Sequence, residues 1–522
     1  MFNRRLILFI LWGFYFPALL IAQRVLYSPF IGSPADMKFE VIGKSGNYYW
    51  VQKTNIKNRS SKKTKKITSP VELSFEIYDG HINLVKTIAA SVADTILKEY
   101  FVPGAQYMDQ LVLTRLKDST GVLLNRFTDD GIVDTTASLL CSFPGNMSAG
   151  DFLLLRSQDK NKILLLGFET VPDSAPNVHS FLFDRNWKLL NHVLIKDRRI
   201  TQPFVQYDIV DYPLEHFTNC PVKLANSGEW FMLSSVRINQ GSLLFHFAAS
   251  EKQVEVKEIL LPKNTTIQDV CLSINNEKRE LLAGVLSQYR SPVTKGVSLL
   301  HYSLDTCKVL YDSAYKFNTL AASKSSKKTV CEEYFMAVPD KGFLLLKEYG
   351  RVYDNFSAAE LNPGNDEEPL PFAQSGTEFM LNKNDYTRYN QLAGTRTLYN
   401  RGDLSMYYFP ATGKDSCWSG IINKEQATEL NKGTLSYVFL PLDDKLFFLY
   451  NSLQRYDEYS SSTILDANGN ALNEGLVYWN IRSTLLFQKA RQISEKEIAV
   501  PYEKNAMNGF AIVKLQQVPG NK

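Results

Sequence analysis

The sequence predicts an all-β protein: a single β-propeller of about seven four-stranded blades, with eight as the alternative. Three observations carry that reading. Residues 150–195 hold four short apolar runs (152–155, 163–168, 178–183 and 187–195) separated by three polar turns. Two of these runs, 153–155 and 163–166, are apolar at every position, which requires cover on both faces of the sheet. Weaker copies of the unit recur along the chain, and a blade packed between two others meets both requirements.

The first unit justifies itself turn by turn. Residues 157–161 make a polar turn. Pro172 and Pro176 in the second turn forbid a continuing ladder. Asp184 and Asn186 in the third can hydrogen-bond their own backbone. Composition agrees with strands. The chain has 522 residues, 44% apolar and 21% charged, so it is globular, and its 27 Tyr and 31 Phe favour strand over helix.

Two arginines, Arg4 and Arg5, precede an apolar stretch at 6–22 that ends in Ala22. Gly13 and Pro17 weaken it as a membrane-spanning helix, so residues 1–22 read as a cleaved signal peptide. The mature chain is then secreted or periplasmic, without a transmembrane segment. Residues 23–522 form the propeller domain. Six cysteines are sparse and without CxxC spacing, and Cys271 sits in an apolar run. The six histidines are scattered without ligand spacing, so no metal site and no cofactor are expected.

Along the chain, 37–51 and 71–88 read as strands around a basic loop at 57–66. That loop carries Lys57, Arg59, Lys62, Lys63, Lys65 and Lys66 and no acid, which makes it a candidate anion-binding arm. It has no aromatic residues, and with the export signal this argues against nucleic acid. Residues 88–97 have helical character. Residues 111–116 and 122–127 form a hairpin, and 129–146 read as a linker with Gly and Pro. The pattern restarts at Gly228 and continues through strands at 230–236, 242–248 and 254–261. A further unit holds 270–274, 280–286, 296–304 and 308–311, with the turn Asp305-Thr306 matching Asp184-Arg185. Strands at 334–338, 342–347 and 351–353 precede a long insertion at 356–391 that breaks the rhythm. The pattern resumes at 397–399, 402–409, 418–422, 434–440, 445–450, 462–465 and 475–479, and ends with 484–487, 496–500 and 510–515. Asp466 to Gly469 is a hairpin turn signal. The ring closes where the final strands join a blade begun by the first.

The stretch Trp418-Ser-Gly-Ile-Ile-Asn-Lys-Glu-Gln426, followed by Lys445-Leu-Phe-Phe-Leu-Tyr-Asn451, resembles blades of uncharacterised secreted bacterial β-propeller proteins. The resemblance covers most of the chain at the level of pattern. It implies the propeller fold and no catalytic residues.

Signatures of propeller hydrolases are missing. There is no complete Ser-x-Asp-x-Gly-x-x-Trp box, no Gly-x-Ser-x-Gly elbow and no phosphate-cradling glycine loop. Acid clusters at Asp129-Asp130, 366–368 and Asp443-Asp444 could supply a glycosidase pair, but solvated loop acids explain them as well. The tripeptide Arg401-Gly402-Asp403 matches Gly150-Asp151 and Gly228-Glu229, where glycine and an acid open a strand. Tyr386, Arg388, Tyr389 and Asn390 form a polar aromatic run suited to a sugar ring and are the candidate ligand-binding residues. Tyr407 and Tyr408 read as strand residues packing between blades. On these grounds the chain is expected to be a non-catalytic binding scaffold of the cell envelope, its partner an envelope protein or glycan. The alternative is a carbohydrate-active enzyme using loop carboxylates.

Overall fold

Almost every apolar run of the sequence forms a strand, and the strands assemble into eight antiparallel sheets. The structure is a computed structural model. It describes residues 23–515 apart from 33–36, 56–71, 91–95, 129–132, 201–220, 237–240, 249–253, 319–328, 357–395, 413–416, 429–436, 452–458, 479–483 and scattered gaps of one or two residues. In chain order, blade 1 is Met37–Ser45, Tyr48–Asn55, Glu72–Tyr78 and Leu84–Ala90. Blade 2 is Ile96–Pro103, Tyr107–Arg115, Ser119–Thr128 and Val133–Pro144. Blade 3 is Phe152–Arg156, Lys162–Glu169, Asn177–Asp184 and Leu189–Ile195. Blade 4 is Val222–Leu224, Trp230–Val236, Gly241–Phe247 and Val254–Ile259. Blade 5 is Thr266–Asn275, Glu280–Gln288, Thr294–Ser303 and Lys308–Asn318.

Blade 6 is Thr329–Val338, Gly342–Phe356, Arg396–Pro410 and an outer strand in two pieces, Trp418–Ile422 and Gln426–Thr428. Blade 7 is Tyr437–Leu442, Lys445–Tyr450, Tyr459–Asp466 and Ala471–Tyr478. Blade 8 draws on both ends of the chain. Its first strand is split into Thr484–Leu485 and Arg491–Ser494, followed by Glu497–Lys504 and Met507–Leu515, and Gln23–Tyr27 lies outermost.

The core is eight separate cores, one in each groove between neighbouring blades. Blade 3 illustrates the cause. Ile163 and Leu165 pack toward blade 2, whereas Leu164 and Leu166 pack toward blade 4. A strand with apolar neighbours on both faces needs no alternation, so the uninterrupted Ile-Leu-Leu-Leu run is what the position demands. First strands of neighbouring blades touch, as between Thr266–Asn275 and Thr329–Val338, which places them nearest the axis. The outermost strands have only one covered face, and Leu189–Ile195 and Lys308–Asn318 accordingly alternate or stay exposed.

Eight blades correct the favoured count of seven, and the extra one is blade 2. Residues 129–146, read as a linker, contain its outer strand Val133–Pro144. The helical reading of 88–97 is also corrected. Ala89 and Ala90 end blade 1, and Ile96 and Leu97 begin blade 2. The split between the strand runs 342–347 and 351–353 disappears in one long strand, Gly342–Phe356. Among the described residues no helix is long and apolar enough to cross a membrane.

The ring is closed by the N-terminal strand. Gln23 to Tyr27 pairs antiparallel with Leu515 to Ala511, covering an edge that would otherwise be open. Inside this seam Glu497 accepts hydrogen bonds from Lys44 Nζ at 2.8 Å, Tyr49 Oη at 2.9 Å and Ser494 Oγ at 3.0 Å. Burial alone would raise the Glu497 pKa, but the Lys44 ammonium and these donors outweigh it and hold the carboxyl below its ordinary range.

Candidate functional site

The turns joining third to outermost strands share a device. In four of them the residue before the outer strand, or two before it, adopts the left-handed conformation: Ile82 (φ 65°), Trp187 (φ 65°), Cys307 (φ 52°) and Gly469 (φ 81°). Three of the turns are held by an aspartate three residues earlier. Asp79 Oδ1 accepts from the Asn83 amide, Asp184 Oδ1 from that of Lys188 and Asp466 Oδ1 from that of Asn470, all at 2.8–2.9 Å. The left-handed residue is turned toward the preceding blade. Ile82 fills the core between blades 8 and 1, and Trp187 the core between blades 2 and 3. At Gly469 a side chain would strike Trp418, whose ring from blade 6 fills that space instead.

Blade 5 departs from this pattern. Aligned on the left-handed residue, Asp184 corresponds to Leu304, so the match of Asp305-Thr306 to Asp184-Arg185 is one residue out of step. Asp305 instead accepts a hydrogen bond from Arg279 Nε. The residue turned toward blade 4 is Cys307, and it meets His246.

His246 lies on the third strand of blade 4, with a side chain only 7% exposed, stacked on Phe231 at 4.5 Å between centroids. Its Nδ1 is 3.9 Å from Cys307 Sγ and 3.3 Å from the Tyr302 hydroxyl. The Tyr302 hydroxyl also reaches Glu255 Oε2 at 3.3 Å, from the outer strand of blade 4. On the other side of the ring, His246 Nε2 lies 3.9 Å from Glu229 Oε1 and makes no hydrogen bond. Glu229 is placed by Ser227 Oγ at 2.9 Å and Arg279 Nη2 at 3.2 Å.

The electrostatics favour one protonation pattern. Burial lowers the His246 pKa, and Arg279 and Lys257 lower it further against the opposing pull of Glu229 and Glu255. The imidazole is therefore neutral at pH 7, and the Glu229 carboxyl group facing Nε2 places its single proton there. Nδ1 is left as a base facing the thiol. Burial, then the neighbouring Cys307 and Glu255, raise the Tyr302 pKa, so its hydroxyl stays protonated as a donor. A thiol, a neutral imidazole and a carboxylate thus stand in line, the arrangement that activates a nucleophile. The same atoms could also hold a metal. Cys307, His246 and Glu255 each offer a ligand atom within 4.8 Å of the others.

Tyr386, Arg388, Tyr389 and Asn390 lie outside the described residues, as do Lys57, Arg59, Lys62, Lys63, Lys65, Lys66 and the acid clusters at 129–130, 366–368 and 443–444. Gly402 and Asp403 do not open a strand. They lie within Arg396–Pro410, where Asp403 Oδ1 accepts the Lys424 amide at 2.9 Å. Tyr408 is a packing residue between blades 6 and 7, stacked on Trp418 and donating its hydroxyl to the Lys341 carbonyl at 2.7 Å. Cys141 and Cys271 are buried cysteines, while Cys417 is exposed.

No family model and no curated protein matches this chain. Solved structures do. It is similar to a prolyl endopeptidase at 8% identity and a TM-score of 0.36, over 91% of this chain and 45% of that one. It is similar to the β-propeller domain of the Trilobed protease from Pyrococcus furiosus at 8% identity and a TM-score of 0.32, over 81% of this chain and 99% of that one. It is also similar to prolyl oligopeptidase B from Galerina marginata at 7% identity and a TM-score of 0.36, over 91% of this chain and 56% of that one. The chain thus spans about half the length of the two full peptidases. These solved structures are peptidases or the propeller domain of a protease, which counts against the expected reading of a non-catalytic envelope scaffold with a carbohydrate-active enzyme as its alternative.

Proposed function

We propose that this chain is a hydrolytic enzyme acting on peptide or related acyl bonds, with Cys307 as its nucleophile. The observation that carries this reading is the line Cys307 Sγ, His246 Nδ1, His246 Nε2, Glu229 Oε1 in the groove between blades 4 and 5. Its two spacings of 3.9 Å are those of a resting site that tightens on substrate. His246 Nδ1 takes the thiol proton as Sγ attacks the substrate carbonyl, and Glu229 stabilises the imidazolium that forms. The proton passes to the leaving amine, and the acyl group stays on sulfur as a thioester. Water, deprotonated by the same imidazole, then releases the acid and restores the thiol. Peptides are the first substrates to test, being what the similar solved structures act on. Export, read from residues 1–22, is part of the proposal.

The test uses the full chain, reduced and free of metal, with fluorogenic peptides. Hydrolysis is expected to fall about 100- to 10,000-fold in Cys307→Ala. A thioester adduct on Cys307 should appear by mass spectrometry in the wild type. Hydrolysis by Cys307→Ala at the wild-type rate would overturn the proposal.

A further inference from the structure

We infer that the groove between blades 4 and 5 binds one zinc-class divalent cation through Cys307, His246 and Glu255. A thiolate, an imidazole and a carboxylate are the donor types that zinc takes. The geometry is close to what the ion needs. Zinc–sulfur and zinc–nitrogen bonds in a tetrahedral site set the two ligand atoms about 3.5 Å apart. Cys307 Sγ and His246 Nδ1 are 3.9 Å apart, and all three ligand atoms lie within 4.8 Å of one another. A closure of a few tenths of an ångström is within reach of side-chain rotation.

Two further features of the groove suit an ion. A histidine that binds metal through one nitrogen commonly points its other N–H at a carboxylate, which fixes the ring. Here His246 Nε2, otherwise without a hydrogen bond, faces Glu229. The third ligand is oriented as well, because Tyr302 places its hydroxyl on Glu255 Oε2. The Glu255 side chain is 47% exposed, so the ion has an entry path and an open coordination position for water. Lys257, 3.8 Å from the same oxygen, is the competing cation and lies at the rim. Binding displaces the Cys307 proton to solvent, so that the sulfur enters as thiolate.

The consequence for hydrolysis rests on the reading above. A sulfur bound to the ion cannot attack a carbonyl, so the cation switches the thiol off, and its removal switches it on. The cation site itself does not depend on that reading.

The experiment is titration of the reduced full chain with cobalt(II), which reports thiolate ligation by absorption, followed by displacement with zinc. One cobalt per chain is expected, with a sulfur-to-cobalt band. Cys307→Ser should abolish the band, and Glu255→Gln should weaken binding at least about tenfold, with circular dichroism unchanged in both. No stoichiometric cobalt, or a band that survives Cys307→Ser, would overturn the site. Cobalt binding together with no peptide hydrolysis by the metal-free chain would remove the catalytic reading and leave the cation site. Hydrolysis without cobalt binding would do the reverse. Where both hold, zinc should inhibit the wild type at concentrations at least about tenfold lower than Glu255→Gln.

Discussion

The groove between blades 2 and 3 and the groove between blades 4 and 5 are built on the same turn, yet they differ in what the turn delivers. At the first, Trp187 enters from blade 3 and donates Nε1–H to the buried Asp109 at 2.7 Å. Arg126 completes Asp109 with two hydrogen bonds at 2.7 and 2.9 Å. Every strong partner is at full contact, and the groove is closed. At the second, Cys307 occupies the Trp187 position and His246 stands opposite with one nitrogen unpaired and its neighbours at 3.3–3.9 Å. Buried polar groups are normally saturated, as Asp109 is. The slack in the second groove is what the proposed chemistry would use, and the small thiol leaves room for it.

Substitutions at the two left-handed residues should therefore separate. Cys307→Ala should remove about 100- to 10,000-fold of peptide hydrolysis while leaving the thermal midpoint nearly unmoved, since a small half-buried group is lost. Trp187→Ala should do the opposite. It should destabilise the ring by about 3–5 kcal/mol, read by denaturant unfolding, because it empties a packed groove and strips Asp109 of a donor. Gly469→Ala sits between. Its φ of 81° is unfavourable for alanine and the added carbon would lie 2.6 Å from the Trp418 ring, so a loss of about 1–3 kcal/mol is expected.

The smallest effect concerns the seam between blades 8 and 1. The folded pKa of Glu497 lies below its unfolded value, so the unfolded chain binds more protons between the two. Its stabilising contribution is present above the ordinary carboxylate range and is lost as pH falls through the lowered folded value. Thermal midpoints measured from neutral to acid pH should decline more steeply in the wild type than in Glu497→Gln. Equal slopes would show that the seam does not depend on this carboxylate.

How much of this was legible in the sequence follows from the same physics. Blade 3 could be read whole because its turns are short and its second and third strands are apolar on both faces. Blade 2 was harder. Its outer strand, Val133–Pro144, has one open face and opens with Val-Asp-Thr-Thr, which carries no burial signal. The Ala-rich approach to its first strand imitates a helix. The ring closure was legible as a requirement, since open edges must be covered, but not in its register. The groove site was not legible at all. His246 and Cys307 are 61 residues apart and meet only because blades 4 and 5 are neighbours. One signal was available: a cysteine standing where the related turns place Ile82 or Trp187, which fill a groove, or Gly469, which leaves its groove to Trp418.

The most direct test of the central claim is the rate of alkylation of each cysteine by iodoacetamide, followed by mass spectrometry in the reduced, metal-free chain. Cys307 is expected to react faster than the more exposed Cys417, and to slow about tenfold or more in His246→Gln. If Cys417 reacts first, or if Cys307 reacts at the same rate with and without His246, the groove between blades 4 and 5 is packing like its neighbours and the catalytic reading fails.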